Sequence, residues 1–292
     1  MLDLAQVHAI LATPFSRDGS RLEQGILAHH VARLVDAGVR VVVSGGNTSE
    51  YHALSTAERL EALRTTVAAA GSRAVVVAGV GASPAEVADE ARAARDAGAD
   101  ALMVHTPAHP FLTPAGWLAY HDGLAAAAEL PLLPYIRTAA IGSDVVTELA
   151  RRPYTAAIKF AVPDLLGFAG ARAEAPTATA WICGLAESWA PGFAAHGAVG
   201  FTSGLVNVLP QVAQAMHRAL AAGDAEAARA LWVRIRPFER LRARSQDGYN
   251  VAVVKAALRI EGHAFGPVRP PSSDLPEDLH HEMARALELM RG

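Results

Sequence analysis

Of the 26 basic residues in the chain, only Lys159 and Lys255 are lysines. Arginine therefore supplies the surface charge, and neither lysine is needed as a generic solvating group. Both sit in apolar runs, Ala156-Ala157-Ile158-Lys159-Phe160-Ala161-Val162 and Val251-Ala252-Val253-Val254-Lys255-Ala256-Ala257-Leu258. Burial penalises the ammonium form and lowers a lysine pKa toward that of a usable nucleophile, which a guanidinium cannot imitate. Such an amine can form an imine with a ketone. A phenol nearby, Tyr135, could then pass protons to and from the carbinolamine and the departing group. The plainer alternatives are a paired buried cation at Lys159 and a core aromatic with a bonded hydroxyl at Tyr135. Arg137 suits a substrate carboxylate, or else is an ordinary solvent-facing arginine.

These residues need elements that bring them together. Eight short apolar runs, His8–Thr13, Val39–Ser44, Ala74–Gly79, Ala101–His105, Pro131–Tyr135, Ala156–Lys159, Ala180–Cys183 and Ala198–Thr202, read as strands. Most are separated by enough chain for one helix, the pattern of repeated βα units. Ser55-Thr56-Ala57-Glu58 is a capping box, and Ser83-Pro84-Ala85-Glu86 and Thr113-Pro114 place a cap before a first-turn proline. Asp36-Ala37-Gly38 and Asp96-Ala97-Gly98 mark helix ends that lead into strands. The expected fold is an α/β (β/α)8 TIM barrel over residues 1–209. A C-terminal helical extension over 210–292 is expected to pack on it, with helices at Gln211–Ala222, Asp224–Ala243, Gly248–Ile260 and Pro276–Met290. No strand is followed by the G-x-G-x-x-G of a dinucleotide fold, and Gly79-Val80-Gly81 reads as a tight turn leaving the third strand.

In a barrel, catalytic groups come from the C-terminal strand ends and the loops after them. Tyr135 and Lys159 end neighbouring strands, and Ser44-Gly45-Gly46-Asn47-Thr48-Ser49-Glu50 follows the second. Its small residues expose N–H groups suited to a carboxylate or phosphate.

In the order and spacing of its motifs the chain resembles the dihydrodipicolinate synthase / N-acetylneuraminate lyase family of Schiff-base lyases and aldolases. The resemblance runs through Thr13-Pro14-Phe15, Gly46-Asn47-Thr48-Ser49-Glu50 where the family has G-T-T-G-E, Ala78-Gly79-Val80-Gly81 and Asp96-Ala97-Gly98-Ala99-Asp100-Ala101. It continues through Tyr135, Lys159, Gly197-Ala198-Val199-Gly200 with Ser203 and Asn207, Val253-Val254-Lys255-Ala256-Ala257, and Val268-Arg269-Pro270-Pro271. The resemblance implies that Lys159 forms the imine and Tyr135 relays protons. It puts Asn47 and Thr48, beside Gly46, on the carboxylate of a 2-keto acid, with the Thr48 hydroxyl joining the tyrosine's hydrogen-bond chain. Lys255 falls at a helix position without a chemical role, its stem expected to be buried and its ammonium to reach water or a carbonyl. Arg137, Glu187 or Ser188 are expected to grip the far part of the substrate, and Ser203 to line the opposite side.

Departures narrow the reading. Asn47 replaces the first threonine of G-T-T-G-E and Ser49 its glycine, and Phe160 stands where many members have Glu. No tyrosine follows the fourth strand, where His109 is the candidate replacement. Tyr135-Ile136-Arg137-Thr138 lacks the synthase arginine pattern and is closer to members resembling 5-dehydro-4-deoxyglucarate dehydratase. The expected function is aldol cleavage, condensation or dehydration of pyruvate or a sugar-acid-derived 2-keto acid. The alternative is a barrel that binds such an acid without turning it over. The resemblance implies a homo-oligomer, a dimer or a tetramer built from dimers.

Composition limits the other classes. Hydrophobic residues make up 51% of the 292 and the net charge is −3, which argues against nucleic acid or an anionic membrane as partner. The single cysteine, Cys183, permits no internal disulfide and suggests a reducing compartment. Without a membrane-length apolar run or a leader-like start at Met1-Leu2-Asp3-Leu4, the expected location is the cytoplasm. No cofactor or metal is expected. His105 and His109 have Pro107 between them, which breaks the helix that would put both on one face. His29-His30 and His280-His281 diverge by about 100° per residue on helices.

Overall fold

The computed structural model describes residues 2–81, 83–107 and 111–291. Eight parallel strands close into a barrel in sequence order. They are β1 (Val7–Ile10), β2 (Val41–Ser44), β3 (Val75–Val80), β4 (Ala101–Val104), β5 (Leu132–Ile136), β6 (Ala157–Phe160), β7 (Ala180–Cys183) and β8 (Gly200–Ser203). The helices between them are α1 (Gln24–Asp36), α2 (Thr56–Ala70), α3 (Val87–Asp96), α4 (Pro114–Ala128), α5 (Ser143–Ala150), α6 (Leu165–Glu174) and α7 (Ala186–Ala195). After β8 come α8 (Pro210–Ala221), α9 (Ala225–Arg242), α10 (Asn250–Ile260) and α11 (His280–Arg291). Helix α8 packs against β1 and β8, closing the last βα unit, while α9 to α11 pack on one another. The division expected after residue 209 falls just ahead of α8.

Alternation along each strand sorts side chains into two cores. Ile10, Val43, Val77, Met103, Tyr135 and Ile182 meet inside the barrel. Val42, Val76, Leu102, Ile136, Ile158 and Phe201 pack outward against the helices. Lys159 has the inward parity, and the register sets it directly beside Tyr135.

Side-chain caps start four of the helices, α2 from Ser55, α4 from Thr113, α6 from Asp164 and α9 from Asp224. Ser55 accepts from the Glu58 N–H while the Glu58 side chain returns to the Ser55 N–H, and Thr113 caps α4 ahead of Pro114. The start expected at Ser83 is displaced. Residues 84–86 form a turn whose Glu86 and Val87 N–H groups close on the Ser83 carbonyl, and α3 begins at Val87. The Gly79 reading also changes, because this residue lies within β3. A Cβ there would stand 2.0 Å from the Gly45 carbonyl oxygen, so its small size permits β2 and β3 to converge. Among the described residues no helix is long and apolar enough to cross a membrane.

Candidate active site

Strand register brings Lys159 to the inside of the barrel, where the side chain is 4% exposed. Its Nζ donates to Met103 Sδ at 3.4 Å and lies 3.6 Å from the centre of the Tyr135 ring. No carboxylate pairs with it among the described residues, so the paired-cation alternative does not describe this geometry. Burial, with help from the Arg137 guanidinium, brings the amine down to about 7. A thioether and a ring face hold the ammonium weakly, leaving a large neutral fraction at neutral pH.

Tyr135 is also buried, which pushes its phenol up. Its hydroxyl accepts from Asn47 Nδ2 at 3.3 Å. Just past the end of β5, Arg137 is exposed, with its guanidinium carbon 5.8 Å from the Tyr135 ring centre. His105 closes the floor beside Tyr135, its Nε2–H donating to the Gly45 carbonyl at 2.8 Å and its ring stacked on Tyr51 at 4.4 Å. Burial takes His105 down to about 3, so it is a neutral donor rather than a charge.

The loop after β2 folds as a tight turn. The Ser49 and Tyr51 N–H groups close on the Gly46 carbonyl, the Glu50 N–H closes on the Asn47 carbonyl, and Ser49 Oγ accepts from the Gly46 N–H. Gly46 is required by space, since a Cβ there would lie 2.4 Å from Ile10 Cγ2. Among the described residues, the N–H groups of Asn47 and Thr48 meet no acceptor. Unbonded backbone donors on adjacent residues are groups on which a carboxylate or phosphate can rest.

The expected place of the Thr48 hydroxyl is corrected. It donates to Asn250 Oδ1 at 3.4 Å, and the residue at the tyrosine hydroxyl is Asn47. Asn250 is a site residue that no local motif announces. Its Oδ1 also accepts from Arg242 at 2.9 Å, and Arg242 pairs with Glu239 at 2.7 Å with both side chains buried. Gly204 makes room for this arm, since a Cβ there would stand 2.5 Å from the guanidinium. The C-terminal helices therefore reach the loop.

Glu187 and Ser203 do not take the places expected of them at the far end of a substrate. Ser203 shares the outward parity of Phe201, and its hydroxyl donates to Glu187 behind the barrel wall. Both residues are fully buried. Burial first, then the nearby Glu239 carboxylate, pushes Glu187 up to about 8. Its other oxygen, Oε2, has no hydrogen-bond partner among the described residues. The carboxyl thus keeps its proton in the folded chain at pH values where the unfolded chain, with its ordinary value of 4.5, has released it. Folding stability then falls as pH rises from about 4.5 to about 8. Glu187→Gln does not titrate, so its melting temperature relative to the parent is expected to climb across that window. A difference that stays flat with pH would contradict the protonated assignment.

The other residues singled out by the sequence sort readily. Cys183 is a buried free thiol. Ser188 lies at the first turn of α7, where its carbonyl accepts from Trp232. His109 lies outside the described residues. Lys255 reaches the Pro267 carbonyl at 2.9 Å as expected, but it also pairs with Glu50 in the core. Among the described residues no three His, Cys, Asp or Glu side chains gather as a metal-ligand set.

Comparison with known proteins agrees with this architecture. The model of the dihydrodipicolinate synthetase family matches residues 3–290. A Streptomyces avermitilis protein named a probable 5-dehydro-4-deoxyglucarate dehydratase is 34% identical, over 94% of this chain and 90% of its own. A 4-hydroxy-tetrahydrodipicolinate synthase of an Exiguobacterium species is 33% identical, over 97% and 96%. Among solved structures, dihydrodipicolinate synthase from Bacillus clausii superposes with a TM-score of 0.95 at 38% identity, covering 99% of this chain and 98% of that one. The chain belongs to the dihydrodipicolinate synthetase family, and it is an enzyme of the family's Schiff-base lyase and dehydratase type.

Proposed function

We propose that this enzyme removes water from, or cleaves, a sugar-acid-derived 2-keto acid through an imine on Lys159. The observation that carries the proposal is a desolvated amine without an ion partner among the described residues, lying 3.6 Å from the Tyr135 ring inside the barrel. The neutral amine adds to the C2 carbonyl, and Tyr135 passes the proton that lets the carbinolamine lose water. The resulting iminium draws electrons from C3. Loss of a proton there, followed by departure of hydroxide from C4, is dehydration, while breaking the C3–C4 bond is aldol cleavage.

In this scheme the substrate carboxylate rests on the free Asn47 and Thr48 N–H groups beside Gly46. Arg137, exposed near the tyrosine, meets the polar far end of the substrate. Asn47 Nδ2 bonds the phenolate oxygen whenever Tyr135 has given up its proton. An amide is a donor here and cannot accept and pass on that proton as a threonine hydroxyl would, which leaves Tyr135 to exchange with the substrate itself. Thr48 contributes its backbone to the seat, held by Asn250. Glu187 and Ser203 support the wall behind β8. We further propose a cytoplasmic homo-oligomer, in keeping with the single cysteine and the family resemblance.

A substrate screen by coupled consumption or product mass tests this reading. Turnover of 3-deoxy-2-keto sugar acids is expected to exceed that of other keto acids. Equal inactivity on every sugar-acid-derived keto acid would contradict it. The amine also predicts a pH dependence. Lys159 attacks only when neutral, so the initial rate of imine trapping should rise with pH, reach half its limit near 7 and level off above about 8.5. A rate still climbing tenfold per unit at pH 9 would mean that Lys159 keeps an ordinary ammonium pKa.

A further inference from the structure

A second buried ionic cluster lies at the end of the substrate loop, and the reaction scheme leaves it unused. Lys255 on α10 pairs with Glu50, the two side chains being 0% and 4% exposed. Glu50 Oε2 also accepts from the Arg269 N–H at 2.8 Å. The Arg269 guanidinium donates to the carbonyls of Gly19 and Ala53 and to the Glu58 carboxylate. Both cations lie over the Phe15 ring, Lys255 Nζ at 4.2 Å and the Arg269 guanidinium carbon at 3.9 Å.

Buried ion pairs add little net stability over apolar residues of similar volume. What this pair grips is more informative. Glu50 is the last residue of the turn and stands at φ 58° and ψ 37°, the left-handed region. A residue bearing a Cβ holds that conformation when its surroundings over-determine it. The Glu50 N–H closes on the Asn47 carbonyl, so its orientation passes directly to the residues whose N–H groups are free. Thr13 Oγ1 fixes the Ser49 carbonyl at 2.6 Å, and Asn250 holds Thr48 from the other side.

We infer that Glu50 and Lys255 are positioning residues for the anion seat: their buried pair fixes the left-handed turn that aims the Asn47 and Thr48 N–H groups at the substrate carboxylate. This inference rests on the proposed keto-acid reading, and the test separates the two. The full-length protein is incubated with borohydride and either pyruvate or its neutral analogue, methyl pyruvate, and labelling of Lys159 is followed by mass. The variants are the near-isosteric, uncharged Glu50→Gln/Lys255→Met double and Glu50→Asp, which keeps the charge but shortens the arm. Each is scored only on its folded fraction, by circular dichroism and melting temperature.

The parent is expected to label with pyruvate in strong preference to methyl pyruvate. In both variants half-saturating pyruvate should rise by on the order of tenfold while methyl pyruvate labelling holds, because orientation of the seat is lost and the amine is not. A merely structural pair would shift melting temperature and leave that preference intact. A folded variant of either kind that keeps the parent's preference overturns the inference alone. A parent without any preference for the carboxylate overturns the seat itself, and the inference with it.

Discussion

Lys159→Arg is expected to lower turnover by at least about 10³-fold while the protein keeps its circular dichroism spectrum and reads as folded by melting. Arginine remains charged at every accessible pH and its guanidinium does not condense with a ketone. The Tyr135 ring face, 3.6 Å from the amine, offers the guanidinium a cation–π contact. The permanent charge is nonetheless desolvated there and unpaired among the described residues, so a lower melting temperature of a still folded protein is expected. Lys159→Met serves as the neutral control, since it removes the amine without burying a larger charge. Both variants should lose turnover equally if the amine is the nucleophile. More than a few per cent of parental activity in either, measured with the best substrate of the screen, would refute the imine scheme.

The second large effect is expected at Tyr135. Tyr135→Phe preserves the ring against Lys159 and removes only the hydroxyl that Asn47 bonds. General acid–base groups typically contribute about 10²- to 10⁴-fold, and a loss in that range of kcat is expected with little change in KM. Imine trapping should survive, slowed at the carbinolamine step, because the amine and the anion seat are intact. That split between trapping and turnover separates proton transfer from nucleophilic attack. Turnover near the parental level in Tyr135→Phe would remove the tyrosine from the mechanism and leave the lysine's part standing.

The two residues to which the proposed mechanism gives most of the chemistry are legible in the sequence because their signals are local. Lys159 stands out as one of two lysines among 26 basic residues, and its apolar flanks already imply desolvation. Tyr135 and Lys159 end consecutive strand runs, and in a parallel barrel such neighbours pair side by side, as the register shows. Strand boundaries differ by up to three residues, most at the end of β1, which stops at Ile10 rather than Thr13, since hydrophobicity does not mark where ladder hydrogen bonds stop.

Less legible are contacts set by long-range packing. Asn250 lies 202 positions from Thr48 in the chain, and only the closing of α9 and α10 over the barrel brings it to the loop. For Ser203, the parity of β8 holds the signal. Phe201 must face the helices, so Ser203 two residues later faces the same way. The link to the tyrosine hydroxyl falls to Asn47 rather than Thr48 because adjacent turn residues differ by backbone rotation, which a loop sequence does not encode. The buried stem of Lys255 and its reach to a carbonyl follow from its apolar flanks, and both hold. Its ion partner, Glu50, lies at the end of another loop, 205 positions away in the numbering and with no pattern linking the two.

The central claim is that Lys159 alone forms the imine, and one experiment addresses it directly. The intact protein is incubated with pyruvate and sodium borohydride, weighed, and digested for peptide mapping. A single reduced adduct on the Lys159 peptide is predicted, with Lys255 unlabelled as an internal control because its ammonium is buried against Glu50. No adduct with pyruvate or with longer 2-keto acids, or an adduct that persists in Lys159→Arg, would contradict the account and favour a barrel that binds such acids without covalent chemistry.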